Sequence, residues 1–169
     1  MSATGSGNGH LQKPSPAGLP AENLHASLVT LEHDGVWHGI LIEGKSGAGK
    51  SSVAMGVIEA FRRAGGEAFL VSDDQVLVDV SNGVVTGYAP PTIAGKIEIH
   101  GHGIAKAEFR ERAAITLVLR LRPASEIERM PPDRTVTVAG QPIPFVEAPE
   151  RHEAQAVRIV QAALTGRHF

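Results

Sequence analysis

The chain of 169 residues contains no cysteine, which excludes disulfides, thiolate chemistry and cysteine-ligated zinc. Aromatic residues make up only 4% of the sequence, and the formal net charge is −2. Without a basic or aromatic surface, binding to nucleic acid or to an anionic membrane is disfavoured. No apolar run approaches the ~20 residues that cross a bilayer, and the first residues lack the pattern of a signal peptide. We therefore expect a cytoplasmic protein.

The composition changes near residue 20. Residues 1–20 are rich in Gly, Ser and Pro and have almost no apolar side chains, which predicts a disordered tail. Residues 21–169 have the length and apolar content of one domain. Strands and helices alternate there with several hairpins, so we expect an α/β fold with antiparallel additions. A purely doubly wound sheet fits this pattern poorly.

Apolar periodicity and turn residues predict the individual elements. The dipeptides Asp34-Gly35 and Asn82-Gly83 each favour a hairpin turn, and Pro90-Pro91 breaks regular structure. A strand that begins near residue 97 is expected to end at the glycines that follow. The other predicted strands cover 24–30, 37–43, 67–72, 75–80, 83–88, 114–121 and 135–138, and the predicted helices cover 51–63 and 150–165.

The most informative motif follows the apolar run 39–42. It is a complete phosphate-binding loop (P-loop), formed by Gly44, Lys45, Ser46, Gly47, Ala48, Gly49, Lys50 and Ser51. A strand should lead into this turn and a helix should begin near Lys50, so that backbone N–H groups point at the phosphates of a nucleotide. Lys50 is expected to reach the β- and γ-phosphates, and the Ser51 hydroxyl to ligate Mg²⁺. The motif predicts a nucleotide-binding protein.

Acidic residues follow a predicted strand at Asp73 and Asp74. In P-loop proteins, an acidic residue at the end of a neighbouring strand commonly helps to hold Mg²⁺. Adjacent carboxylates can divide the work between the metal and the proton of the nucleophile, provided that the chain turns at this point. Further along, alternation places Glu98 and His100 on one strand face, where they could serve metal, phosphate or proton transfer. A solvated strand face is the alternative interpretation.

Several blocks in a fixed order resemble the bacterial HPr kinase/phosphorylases. They are 25–29, 42–51, 70–76, 87–91 and 97–104, and the resemblance covers about residues 24–130. It implies a P-loop kinase core of the HPr kinase/PEP carboxykinase type, with a mixed sheet and flanking helices. It also implies an ATP- and Mg²⁺-dependent kinase for a serine of HPr, a carrier of the sugar phosphotransferase system. Many members also remove that phosphate by phosphorolysis, and the implied assembly is a homo-hexamer.

The resemblance assigns roles to residues that their setting alone would leave unremarkable. His25 matches an active-site histidine of the family, and Glu98 matches a second carboxylate near the metal. Asp73 and Asp74 match the position of the catalytic aspartate, and which of the two is the base stays open. Arg129 resembles the catalytic arginine, whose guanidinium would neutralise charge on the transferring phosphoryl group.

The chain also departs from the family pattern. His100 stands where the family usually has arginine, so a phosphate contact there would depend on pH. The match is to a short form without the N-terminal domain of longer members. The Pro-x-Arg-x-Gly-Arg segment linked to dephosphorylation has no convincing counterpart near residues 142–147, which favours kinase over phosphorylase activity. The alternatives are a small-molecule kinase or nucleotide hydrolase, and a regulatory module that binds nucleotide with little catalysis.

Overall fold

The structure, a computed structural model, describes residues 22–166, and the predicted tail at 1–20 lies outside this range. Within it, eleven strands and two α-helices alternate, and a 3-10 turn lies at Ala124–Glu126. The helices are α1 Lys50–Arg63 and α2 Glu153–Leu164. The strands are β1 Glu22–Leu24, β2 Ala26–His33, β3 Val36–Glu43, β4 Ala68–Ser72, β5 Val76–Ser81, β6 Val84–Tyr88, β7 Lys96–Ile99, β8 Gly103–Lys106, β9 Arg112–Arg122, β10 Arg134–Val138 and β11 Gln141–Pro149.

Nine of these strands form one mixed sheet around β9. The order is β1-β5-β6-β9-β3-β2-β4, and β11 carries β10 onto the sheet through β9. The start of β9 pairs antiparallel with β6, whereas its later residues pair parallel with β3 and β11. The remaining described strands, β7 and β8, form a separate hairpin. The mixed pairing confirms the expected antiparallel additions.

The sheet is covered on both sides. On one side, which we call the helix face, α1 and α2 pack against Val29, Ile40 and Leu70. On the other side, the far face, Leu28 and Leu41 pack against side chains of β5, β6, β10 and β11. Strands buried on both faces explain the nearly continuous apolar runs in the sequence. Neither helix in residues 22–166 meets the length and apolarity needed for a membrane span.

Both predicted hairpins are confirmed. Asp34 and Gly35 have φ angles of 51° and 77°, and Asn82 and Gly83 have φ angles of 52° and 77°. Two consecutive positive φ values define the type I′ turn that matches the twist of the flanking strands. Helix α1 ends at Arg63, as predicted, and Gly65 just beyond it adopts a φ of 86°.

Other predictions need correction. Leu24 belongs to β1, which pairs with β5, and β2 begins only at Ala26. His100 does not share a strand face with Glu98, because β7 ends at Ile99 and His100 lies in the turn to β8. Helix α2 begins at Glu153 rather than residue 150.

Strand β11 was not predicted, and it contains prolines at 142 and 144, which are uncommon inside strands. Residues 141–144 pair only with β10, and pairing with β9 begins at Phe145. A proline is tolerated where its missing N–H faces the unpaired side of a strand. The prolines therefore lie in the part of β11 that pairs with a strand on one side only.

Close packing between strands makes the fold sensitive to any side chain at Gly39. A Cβ atom built there would lie 2.3 Å from the Ala114 carbonyl oxygen of the neighbouring strand. Because backbone cannot move aside as a side chain can, Gly39→Ala is expected to destabilise the fold by about 1–3 kcal/mol, as overpacking does. Urea unfolding measures this change. Val36→Ala, an exposed substitution in the same strand, is the control and should stay within about 0.5 kcal/mol of the parent; equal effects of the two would contradict the packing argument.

Candidate active site

The predicted strand–loop–helix order of the P-loop is confirmed. Strand β3 ends at Glu43, and α1 begins at Lys50 directly after the loop. Gly47 and Gly49 have φ angles of 75° and 97°, which residues with a side chain rarely adopt. These angles let the loop wrap tightly at the N-terminal end of α1.

Lys50 is the first residue of α1, and its largely buried side chain reaches back into the loop. Its Nζ donates to the carbonyl oxygens of Gly44 at 3.0 Å and Lys45 at 3.3 Å, and lies 3.1 Å from His25 Nε2. Desolvation lowers the pKa of Lys50, and the nearby charges of Asp74 and Asp73 oppose that shift. The ammonium is thus held by neutral acceptors inside the loop.

His25 connects Lys50 to Asp74. Its Nδ1 lies 3.2 Å from Asp74 Oδ1 and 3.1 Å from the Asp74 carbonyl oxygen, both of which are acceptors. Its Nε2 faces the Lys50 ammonium, which is a donor. These partners favour the tautomer with its hydrogen on Nδ1, in which Nε2 accepts from the Lys50 ammonium.

Asp73 is the buried acid of the site, with only 5% of its surface exposed. The Ser27 hydroxyl donates to Oδ1 at 2.6 Å, and the Ser51 hydroxyl lies 2.9 Å from both carboxylate oxygens. The Glu98 backbone N–H donates to Oδ2 at 3.3 Å. Three elements, β2, α1 and β7, therefore converge on one carboxylate.

The chain turns sharply between the two acids, as the division of work between them requires. Asp74 adopts a φ of 68°, and the Gln75 N–H donates to the Asp73 carbonyl at 2.9 Å. The Asp73 carboxylate consequently points into the protein, whereas that of Asp74 is largely exposed beside His25.

Three predicted site residues are not joined to this cluster by side-chain contacts. Glu98 contributes its backbone, and its side chain is exposed. His100 is exposed in the β7–β8 turn, and Arg129 is exposed after the 3-10 turn. Within residues 22–166, no three His, Asp or Glu side chains are grouped so that they could hold a metal by themselves.

Sequence reasoning missed two contacts of the site. Ser27 lies inside the block 25–29, but alternation alone gave it no role. Arg151, in the turn before α2, donates from its backbone to the Ala48 carbonyl at 3.0 Å and from Nε to the Gly47 carbonyl at 3.1 Å. Beside it, Glu150 lies 3.3 Å from Lys45 Nζ.

The sequence does carry a signal for Arg151, just after residues 142–147. Pro149-Glu150-Arg151 reproduces the first half of the Pro-x-Arg-x-Gly-Arg segment. The glycine and second arginine of that segment are replaced by Glu153 and Ala154. Only the first arginine is therefore present, and it contacts the P-loop.

The chain is similar in sequence to known proteins over most of its length. Residues 19–168 match the family model described as HPr Serine kinase C-terminal domain. An HPr kinase/phosphorylase of Clostridium botulinum is 28% identical over 155 residues, which are 85% of this chain and 48% of the relative. The same-named protein of Exiguobacterium sibiricum is 30% identical over 156 residues, 85% of this chain and 47% of the relative. The chain thus spans about half the length of these relatives.

A solved structure supports the fold. The Hpr(Ser) kinase/phosphatase from Coxiella burnetii superposes with a TM-score of 0.70 at 22% sequence identity. The superposition covers 86% of this chain and 97% of that chain. The predicted fold class is therefore confirmed.

The contact between Ser27 and Asp73 leads to a stability prediction. Ser27→Ala removes one donor from a buried carboxylate and is expected to destabilise the fold by about 1–3 kcal/mol. Denaturant unfolding at neutral pH measures the change. Ser81→Ala, on an exposed strand end, is the matched control and should have almost no effect. Indistinguishable unfolding curves for the two variants would show that the hydroxyl does not stabilise Asp73.

Proposed function

The chain belongs to the HPr Serine kinase C-terminal domain family, and from this we propose that it is an ATP- and Mg²⁺-dependent kinase for a serine of an HPr-type phosphocarrier protein. The observation that carries the proposal is the convergence of Lys50, Ser51, Asp73 and Asp74 at one glycine-rich loop. The names of the relatives supply the substrate class, and the loop supplies the means to bind a nucleotide.

ATP would bind with its phosphates in the loop. Lys50 would exchange its carbonyl partners for phosphate oxygens, whose negative charge favours the ammonium more than neutral carbonyls do. This exchange would reverse the destabilisation that burial imposes on the charged form of Lys50.

The oxygen donors beside the loop fit Mg²⁺. Asp73 and Ser51 present a carboxylate and a hydroxyl 2.9 Å apart, and Mg²⁺ is usually held by one or two such protein oxygens together with substrate phosphates. When bound, the metal supplies charge neutralisation at the phosphates. Glu98, predicted as a further metal-side carboxylate, would have to turn its exposed side chain towards them.

Asp74 is the better candidate for the base. The oxygens of Asp73 already accept three hydrogen bonds, whereas the carboxylate of Asp74 is exposed and has His25 as its partner. In the forward reaction, the serine oxygen would bond to the γ-phosphorus while the bond to the ADP oxygen breaks, and the serine proton would pass to Asp74. His25 would orient Asp74 through Nδ1–H and Lys50 through Nε2.

Phosphorolysis of phosphoserine is a second candidate activity, favoured by the contact of Arg151 with the loop. A guanidinium there could hold the attacking phosphate, whose oxygen would bond to the phosphorus as the serine oxygen leaves with a proton from Asp74. The incomplete segment around Arg151 places this activity second. The roles of Arg129 and His100 in contacting phosphoryl groups, and a homo-hexameric assembly, stay predictions from the family resemblance.

The decisive experiment compares Asp74→Asn with Asp73→Asn in transfer from radiolabelled ATP to purified HPr. We expect Asp74→Asn to lower kcat by about 100-fold or more, the usual contribution of a general base, while ATP affinity is nearly unchanged. Asp73→Asn should instead weaken Mg²⁺-dependent ATP binding. The opposite assignment of the two effects would make Asp73 the base.

Controls separate the alternatives. HPr lacking its acceptor serine should receive no label, and added inorganic phosphate tests the reverse activity on phosphorylated HPr. Normal ATP binding without transfer would refute HPr as the substrate. ADP release without any acceptor would favour a nucleotide hydrolase, and tight binding without turnover would favour a regulatory module.

A further inference from the structure

A small cavity opens on the far face of the sheet, where the cover provided by β5 and β6 ends. Its volume is about 270 Å³, and it is lined by Thr30, Trp37, Arg110, Arg112, Ala113 and Ala114. Trp37 precedes the end of β3 by six residues, so it lies about 20 Å from the start of the P-loop. The cavity is therefore separate from the candidate active site.

Aromatic rings orient the two arginines of this cavity. The guanidinium carbon of Arg110 lies 5.0 Å from the ring centre of Trp37 and 4.5 Å from that of Phe69. The backbone of Arg110 is fixed as well, since its N–H donates to the Leu70 carbonyl at 2.8 Å. Arg112 lies 5.1 Å above the ring of Tyr88. Stacking fixes the plane of a guanidinium and leaves its N–H edge free to donate.

These two guanidinium groups differ from most others in the chain. The described structure pairs each of five arginines with a glutamate, namely Arg62, Arg63, Arg120, Arg122 and Arg134. It records no carboxylate partner for Arg110 or Arg112 within residues 22–166. Two acids lie nearby on the same segment: Glu108 is paired with Arg62, and the exposed Glu111, between the two arginines, has no ion pair with either of them in the described structure. The cavity is therefore lined by two oriented, exposed guanidinium groups that no carboxylate of residues 22–166 neutralises by an ion pair.

We propose that this cavity binds a small oxyanion of the phosphate class, as inorganic phosphate or as the phosphoryl group of a small phosphomonoester. Guanidinium N–H edges match phosphate oxygens in pairs, and the cavity is smaller than the roughly 300–1,000 Å³ of typical ligand pockets. Trp37, with 40% of its surface exposed, leaves an apolar wall for the carbon part of an ester. The proposal does not depend on the kinase activity.

The sequence provides a built-in probe, because Trp37 is the only tryptophan. Its fluorescence would be followed while the full chain is titrated with inorganic phosphate or with glycerol phosphate, without nucleotide and at constant ionic strength. We expect the fluorescence of the parent to change until the site is saturated. The double variant R110Q/R112Q should bind the same compound with roughly tenfold or more lower affinity, because it loses at least one charge-assisted hydrogen bond. R63Q/R158Q, with the same change in charge on exposed helical positions, should bind like the parent.

Three results would overturn the proposal. They are the absence of saturable binding of either compound, equal affinity in R110Q/R112Q and the parent, and loss of the fluorescence change in Lys50→Gln, which would place the phosphate in the P-loop. Circular dichroism and ATP binding would verify that R110Q/R112Q is folded. Tighter binding of glycerol phosphate than of phosphate would identify an ester as the ligand, and the reverse order would identify the free anion.

Discussion

The rest of the site depends on the hydrogen bonds that the buried carboxylate of Asp73 accepts. A buried charge is tolerated only where hydrogen bonds replace its lost hydration, and here they come from Ser27, Ser51 and the backbone of Glu98. Each donor belongs to a different element, so the acid ties the second strand, the P-loop helix and the β7–β8 hairpin together. The hydrogen bond from Glu98 thus adds to the packing of Ile97 in the core on the helix face, and together they position the hairpin relative to the loop.

A second series of contacts extends outwards from this core. The ammonium of Lys50 contacts His25, and His25 contacts Asp74 at the surface. The two neighbouring aspartates consequently have different surroundings, although they are adjacent in sequence. The left-handed backbone of Asp74 produces this difference, because it turns one carboxylate inwards and leaves the other facing solvent.

Local chemistry made much of the architecture predictable. The strand–loop–helix order around residues 44–51, both hairpin turns and the end of α1 rest on residues whose backbone preferences act over a few positions, and all were found where expected. Long-range contacts were not predictable in this way. The pairing of β11 depends on which side of the strand its prolines face, and the contact of Arg151 with Gly47 joins residues 104 positions apart. Ser27 likewise gains its role only from a partner in another strand.

Hydrogen bonds from the turn before α2 connect the P-loop to the last helix of the described chain. Arg151 is bonded to the loop at two carbonyl oxygens, and α2 starts two residues later and packs on α1. The start of α2 is therefore positioned by the backbone of Gly47 and Ala48 as well as by its packing on α1. A substitution that changes the backbone of the loop at these two residues would remove both hydrogen bonds that place Arg151 at the N-terminal end of α2.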